Sequence, residues 1–111
     1  MIVYITERGT ERYRELAILK SAKIEEELQE LGFEVINPLR LLSDHSLDFT
    51  KAMKIRIEAM MKADVVYMSD YLNSGEMAIE RSIALNIGMP MYFSIFQLVK
   101  YRGIVKECEE L

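Results

Sequence analysis

One acidic residue interrupts the apolar side of a helix that the sequence predicts over residues 74–87. The positions that fall on this side of the helix are occupied by Met77, Glu80, Ala84 and Ile87. Burying a carboxylate without a partner is costly. We therefore expect Glu80 to face a polar crevice where it could act on a ligand, to pair with a cation, or to stay in solvent. The candidate partners are Arg81, Arg56 and Lys54.

Polar residues also precede this helix, in the segment Asn73-Ser74-Gly75-Glu76. The unbonded N–H groups at a helix N-terminus, together with the helix dipole, can bind a phosphate or a sugar hydroxyl. The same residues fit a capping box, with Asn73 as N-cap and Glu76 at the third position, which requires no ligand. Both interpretations stay open. Asp70, which follows the preceding predicted strand, is a further candidate for the site.

The first predicted turn, Thr6-Glu7-Arg8-Gly9-Thr10, has one glycine and no Gly-Lys-Ser/Thr triplet. Loops that hold dinucleotides or nucleoside triphosphates need more glycines, because their backbone must approach the phosphates closely. The sequence therefore disfavours nicotinamide and ATP chemistry.

Arg56 has two interpretations. It lies on the same side of the second predicted helix as Ala52, Met53 and Met60. Its guanidinium could contact a ligand at the end of the sheet, or it could neutralise Glu80 or Asp64 in a structural pair. We expect Asp64 itself to cap the start of the third strand.

The composition limits the class of protein. The chain has 111 residues, of which 50% are hydrophobic and 29% charged, as expected for one domain over residues 1–111. The net charge of -4 disfavours binding to a nucleic-acid polymer. One cysteine and one histidine exclude an internal disulfide and a Cys/His metal cluster. We expect Cys108 to pack as a small apolar residue and His45 to lie in a solvated loop. The apolar runs are too short to span a bilayer, so we expect a cytoplasmic protein without membrane contact.

Strands and helices alternate along the chain. Apolar patterns predict strands over residues 1–5, 33–36, 63–68 and 90–93. A first helix over residues 11–31 ends at Gly32, a second begins after Asp48, and a third ends at Gly88. Residues 39–47 are predicted as a loop, and residues 95–111 as a closing helix interrupted at Gly103. The predicted apolar positions of the first two helices are Tyr13, Leu16, Ala17, Ile24, Leu28, Leu31, Phe49, Ala52, Met53, Ile57 and Met60.

This alternation predicts an α/β fold, a single-domain Rossmann-like or flavodoxin-like three-layer sandwich with a four- to five-stranded, mostly parallel sheet. Ligands of such sheets bind outside the carboxyl ends of the strands. The segments expected to meet there are residues 6–10, 37–46 and 69–80.

The order of these motifs resembles the nucleoside 2-deoxyribosyltransferase-like superfamily, in particular its small bacterial and phage branch of domains of unknown function. The resemblance covers residues 1–93, and its most specific part is Ser74 followed six residues later by Glu80. It also rests on Tyr4-Ile5-Thr6, Val35-Ile36-Asn37-Pro38, the stretch from Met53 to Ala63-Asp64, Ala84 and Gly88.

The resemblance implies cleavage of an N-glycosidic bond or transfer of a 2-deoxyribosyl group, with a deoxynucleoside or its 5'-monophosphate as substrate. Glu80 would be the nucleophile and Tyr4 would orient it. No metal or organic cofactor is implied, and a homodimer or higher homo-oligomer is. Ser74 stands where related hydrolases have a phosphate-binding serine. The implied substrate-binding residues are Thr6, Arg8, Gly9, Asn37, Arg56, Asp70, Asn73, Ser74 and Gly75.

Three residues or turns differ from the family pattern. Glu76 replaces a glycine, Arg56 replaces an acidic residue, and Thr6-Glu7-Arg8 replaces a turn of small residues. Glu76 and the missing acidic residue at Arg56 favour a second hypothesis, a module that binds a nucleotide-derived small molecule without turning it over. A third hypothesis is a structural protein that dimerises through Ile79 and Ile83.

Overall fold

The computed structural model describes residues 1–6, 14–41, 48–68 and 75–110. The strands are β1 (Ile2–Thr6), β2 (Glu34–Ile36), β3 (Val65–Met68) and β4 (Met91–Tyr92). The helices are α1 (Arg14–Glu30), α2 (Pro38–Leu41), α3 (Phe49–Met60), α4 (Gly75–Ile87) and α5 (Ile95–Glu110).

The four strands form one parallel sheet in the order β2-β1-β3-β4. Tyr4 on the central strand β1 pairs with Ile36 on one side and with Val66 on the other. At the edge, Tyr67 pairs with Tyr92. The predicted α/β fold with a parallel sheet is confirmed.

Alternate residues of the central strands point to opposite faces of the sheet. Val3 and Val65 pack with Leu28 of α1 and Leu98 of α5 in one core cluster. Tyr4 and Val66 pack on the other face, together with Ala59 and Met60 of α3 and Ala84 of α4. The sheet is therefore the middle of three layers, as the sequence predicts.

The predicted ends of several elements are confirmed by their local geometry. Gly32 and Gly88 adopt φ of 91° and 72°, which glycine reaches without steric strain and which ends α1 and α4. Asp48 is the N-cap of α3, and its carboxylate accepts a hydrogen bond of 2.8 Å from the Lys51 N–H. Asp64 accepts a hydrogen bond of 2.7 Å from the Ile2 N–H and so joins the starts of β3 and β1.

Two predicted elements are wrong in part. Residues 38–41 form α2 instead of a loop, because Pro38 is favourable at the first helical position and Asn37 Oδ1 accepts a hydrogen bond of 3.1 Å from the Leu39 N–H. Helix α5 continues through Gly103 without interruption. A glycine inside a helix destabilises it by only about 1 kcal/mol, which the packing of Leu98 and Tyr101 on the core outweighs.

Several positions predicted to be apolar contacts are exposed, and they lie near helix ends. Leu16, Phe49 and Ile87 are 65%, 54% and 47% exposed, and Leu31, just after α1, is exposed as well. Cys108, in the last turn of α5, is also exposed rather than packed. Helix α1 is longer than the strand it packs on, because 17 helical residues span about 25 Å and a strand of five only about 17 Å, whereas Phe49 and Ile87 are the terminal residues of α3 and α4. Within the described residues, no helix combines the length and apolar character needed to cross a bilayer.

Candidate functional site

Four buried polar side chains lie on the face of the sheet that α3 and α4 cover. Tyr4 and Thr6 are two residues apart on β1, so both point to this face. Arg56 lies in the second half of α3, and Glu80 lies in the second turn of α4. All four are almost completely buried, with at most 1% of their surface exposed. We call these four residues the polar cluster.

Arg56 and Glu80 form a buried ion pair. Arg56 Nε donates a hydrogen bond of 2.5 Å to Glu80 Oε1, and both side chains are shielded from solvent. Of the three cations considered from the sequence, Arg56 is therefore the one that meets Glu80. The guanidinium offsets the charge of the carboxylate where water cannot.

The Tyr4 hydroxyl lies next to both members of this pair. Burial is the main cause that raises the pKa of Tyr4 above its usual range, the negative charge of Glu80 raises it further, and Arg56 opposes them. Tyr4 is therefore neutral and keeps its proton. Its oxygen has no hydrogen-bond partner of good geometry in the described part of the chain.

Thr6 is the second buried hydroxyl of the polar cluster. It is fully buried at the carboxyl end of β1, and its Oγ1 likewise meets no hydrogen-bond partner among residues 1–6, 14–41, 48–68 and 75–110. A buried hydroxyl without a partner destabilises the fold by about 1–3 kcal/mol. Such groups call for an explanation, and a ligand that supplies the missing bonds is one.

Asn37 has a different environment from the polar cluster. Its Nδ2 donates to Ser21 Oγ at 3.1 Å and to Glu25 Oε2 at 3.2 Å, and its Oδ1 accepts from Leu39. Glu25 is held in turn by Arg40 at 2.5 Å. The polar atoms of Asn37 are thus engaged in joining β2, α1 and α2.

Sequence reasoning missed the partners of Asn37. Ser21 and Glu25 are buried, although neither residue type is usually found there. Their four-residue spacing on a helix that also carries Leu28 was the available signal, since it places them on the buried side of α1.

Five of the predicted site residues lie outside the described residues. They are Arg8, Gly9, Asp70, Asn73 and Ser74. Of the other predicted site residues, Gly75 is the first residue of α4. The polar cluster thus contains Tyr4, Thr6, Arg56 and Glu80 from the predicted set.

The chain resembles known proteins in sequence and in structure. Residues 3–93 match the family model described as Domain of unknown function (DUF4406). The chain belongs to this family. No match was found among the curated proteins.

The DUF4406 chain also has the fold of a 2-deoxyribosyltransferase from the psychrotolerant bacterium Bacillus psychrosaccharolyticus. The two structures align with a TM-score of 0.62 and 22% sequence identity, over 82% of this chain and 69% of that chain. This likeness establishes a nucleoside 2-deoxyribosyltransferase-like fold. The whole polar cluster lies inside the region that matches the DUF4406 model.

An open groove of about 420 Å³ lies between α3 and α4 in this DUF4406 domain. Its apolar lining comes from Phe49, Met53, Ile57 and Ile79. Thr50, Lys54 and Glu58 also line the groove. Arg56 and Glu80 are adjacent in sequence to lining residues but do not line the groove themselves.

Proposed function

We propose that this chain breaks the N-glycosidic bond of a deoxynucleoside or a deoxynucleoside 5'-monophosphate, either by hydrolysis or by transfer of the 2-deoxyribosyl group. The observation that carries this proposal is the buried carboxylate of Glu80 on a fold shared with a 2-deoxyribosyltransferase. A carboxylate fixed in a site with little water interacts strongly with a positive charge that develops on a substrate.

The proposed reaction has two steps. An oxygen of Glu80 bonds to the anomeric carbon of the sugar while the bond from that carbon to the base breaks, and the base leaves with the bonding electron pair and takes up a proton. Water or a second base then attacks the anomeric carbon and releases Glu80. Each step passes through a state with positive charge on the sugar, which the carboxylate stabilises only while that charge exists.

The neighbouring hydroxyls have roles in this proposal. Tyr4 keeps its proton and lies against Glu80, so it can orient the carboxylate. Thr6 can donate a hydrogen bond to the sugar or to a 5'-phosphate from the end of β1. Asn37 would shape the base pocket together with Pro38. Residues proposed to complete the substrate site are Arg8, Gly9, Asp70, Asn73, Ser74 and Gly75.

The test is a turnover assay over a panel of deoxynucleosides and their monophosphates, with and without a second free base. Base release and base exchange are followed by chromatography. We expect Glu80→Gln to lower the rate by about 1000-fold or more, because it removes the attacking group. Glu26→Gln, at an exposed position on α1, is the matched control and should keep the wild-type rate. No turnover by the wild type at high enzyme concentration would overturn the proposal for these substrates.

A second candidate function is binding of a nucleotide-derived molecule without turnover. The pairing of Glu80 with Arg56 at 2.5 Å favours it, since a carboxylate whose charge is already balanced is a weaker nucleophile. Thermal melting with the same panel separates the two functions. A ligand that raises the midpoint but loses no base would support the binding module.

We also propose that the groove between α3 and α4 is covered by a second copy of this chain. Lys54 and Glu58 are one helical turn apart beside the apolar lining, so a two-fold axis can place Lys54 of one copy opposite Glu58 of the other. Sedimentation of the wild type and of Ile79→Ser tests this arrangement. A dimer that Ile79→Ser dissociates supports it, and a wild-type monomer at high concentration contradicts it.

A further inference from the structure

Arg56 is buried where a long cationic side chain is rarely found. It lies on α3 between residues that pack into the core, and only 1% of its side chain is exposed. Its buried neighbours on the same helix are Met53, Ala59 and Met60. A guanidinium in such surroundings has lost its hydration, so its contacts with protein groups must replace that hydration.

The contact of Arg56 with Glu80 joins two helices through one defined pair of atoms. Nε of Arg56 on α3 bonds Oε1 of Glu80 on α4, and Tyr4 on β1 lies against both. The position of the carboxylate relative to the end of the sheet is therefore set from α3 as well as from α4. A bond between Nε and one carboxylate oxygen also restricts rotation of the carboxylate.

The hydrogen bond of Arg56 to Glu80 argues against direct contact of its Nε with a ligand. This nitrogen already donates to Glu80 Oε1, and a substrate that bonded to it would have to separate the ion pair.

From these observations we infer that Arg56 is a positioning residue, which acts on the substrate through Glu80 by holding that carboxylate in place and in its ionised form. This inference rests on the proposed function of Glu80 as the nucleophile. It replaces the role of substrate contact that the resemblance implied for Arg56. Charged and titratable groups that lie against Glu80 from other elements include Arg56 from α3 and Tyr4 from β1.

The first experiment is a pH profile of kcat and KM for the wild type, Arg56→Met and Arg56→Lys. Without the guanidinium, the buried carboxylate is protonated more easily. We expect Arg56→Met to lower kcat by about 10-fold or more and to change KM by less than about 3-fold. The midpoint of the acid limb in the pH profile of kcat should move to higher pH by at least about one unit. Arg56→Lys keeps the charge and should return the acid limb to its wild-type position. Lys51→Met, at an exposed position on α3, is the matched control.

Two outcomes of this profile would overturn the inference. A large rise in KM with kcat and the acid limb unchanged would assign Arg56 to substrate contact. If the acid limb had the same midpoint in Arg56→Lys and in Arg56→Met, the positive charge at this position would have no role in keeping Glu80 ionised.

A second measurement needs no turnover and so separates this inference from the proposed function. In protein labelled with carboxyl-13C glutamate, the Glu80 resonance is the one missing in Glu80→Gln. We expect it to titrate at higher pH in Arg56→Met than in the wild type, by at least about one pH unit. An unchanged midpoint would overturn the inference, whether or not the wild type releases base. A shifted midpoint in a protein without turnover would keep the role of Arg56 and remove only the proposed reaction.

Discussion

The two faces of the sheet bury very different side chains although they are built on the same strands. On the face covered by α1 and α5, the buried core residues of the strands and helices are Val3, Ile5, Val65, Tyr67, Leu28 and Leu98. On the face covered by α3 and α4, the polar cluster lies among the core residues. Helix α1 also buries Ser21 and Glu25, but both are hydrogen-bonded to Asn37, whereas on the second face Tyr4 and Thr6 bury hydroxyls that meet no partner in the described part of the chain. This difference makes the second face the candidate site.

The largest effect is expected from breaking the ion pair between Arg56 and Glu80, on the polar face of the sheet that α3 and α4 cover. Arg56→Met removes the cation that is bonded to the buried Glu80, and we expect it to lower the free energy of unfolding by about 3–5 kcal/mol. The double variant Arg56→Met/Glu80→Leu should recover most of this loss, because no buried charge remains. Urea denaturation of both single variants and of the double variant gives the coupling energy. Additive losses would mean that the pair is not coupled.

On the apolar face, the matching change is Leu98→Ala. Leu98 is fully buried in the core cluster of α1 and α5, so we expect a loss of about 3 kcal/mol from the lost burial and the cavity. The same urea measurement applies. In contrast to the ion pair, no second substitution on the opposite face should restore the loss, and activity per folded molecule should not change. A loss of activity in the folded protein would contradict the division of roles between the two faces.

The free energy of unfolding should also fall at alkaline pH because of Tyr4, which lies on the polar face. Because the pKa of Tyr4 is raised in the folded state, Tyr4 is protonated in both states below about pH 10, and its contribution to stability is fully present there. Above this pH the unfolded chain loses the proton first, so the free energy of unfolding falls by up to about 1.4 kcal/mol per pH unit. Urea titrations between pH 9 and 11 should show a shallower decline for Tyr4→Phe. Tyr101→Phe, a half-buried tyrosine on α5, tests whether the effect belongs to Tyr4.

The smallest effect concerns the Thr6 hydroxyl. Thr6→Val has nearly the same shape and removes a buried oxygen that has no partner in the described part of the chain, so we expect it to raise stability by about 1 kcal/mol. Thermal melting measures this gain. If the oxygen serves a ligand, the same variant should bind that ligand more weakly. A variant that is less stable without ligand would show that the hydroxyl has a structural role.

The sequence predicts the fold better than it predicts the contacts of the site. Glu80 is recognisable because a carboxylate occupies an apolar helix side, and Asp48, Gly32 and Gly88 mark helix ends through local chemistry. These features depend on neighbouring residues only. They could therefore be predicted from the sequence.

The choice of partner for Glu80 could not be made in this way. Arg81, Arg56 and Lys54 all satisfy a local pattern, and the decision depends on which helix packs beside α4 and on which side of it faces inward. The same reason explains the unexpected exposure of Leu16, since the length of the sheet relative to α1 is a property of the assembled layers. The Thr6 hydroxyl meets no partner in the described part of the chain, and this likewise becomes visible only when the surrounding atoms are in place.

Arg102 on α5 covers a part of the fold that is synthesised much earlier. Its guanidinium donates to the carbonyl of Leu31, 71 residues earlier, and lies 4.2 Å from the centre of the Phe33 ring. The turn between α1 and β2 leaves the ribosome long before the residue that covers it. Until α5 emerges, the ring of Phe33 and the apolar side of Leu28 lack their final cover. A nascent chain of this protein would therefore be more prone to aggregation before α5 is made than after α5 has packed.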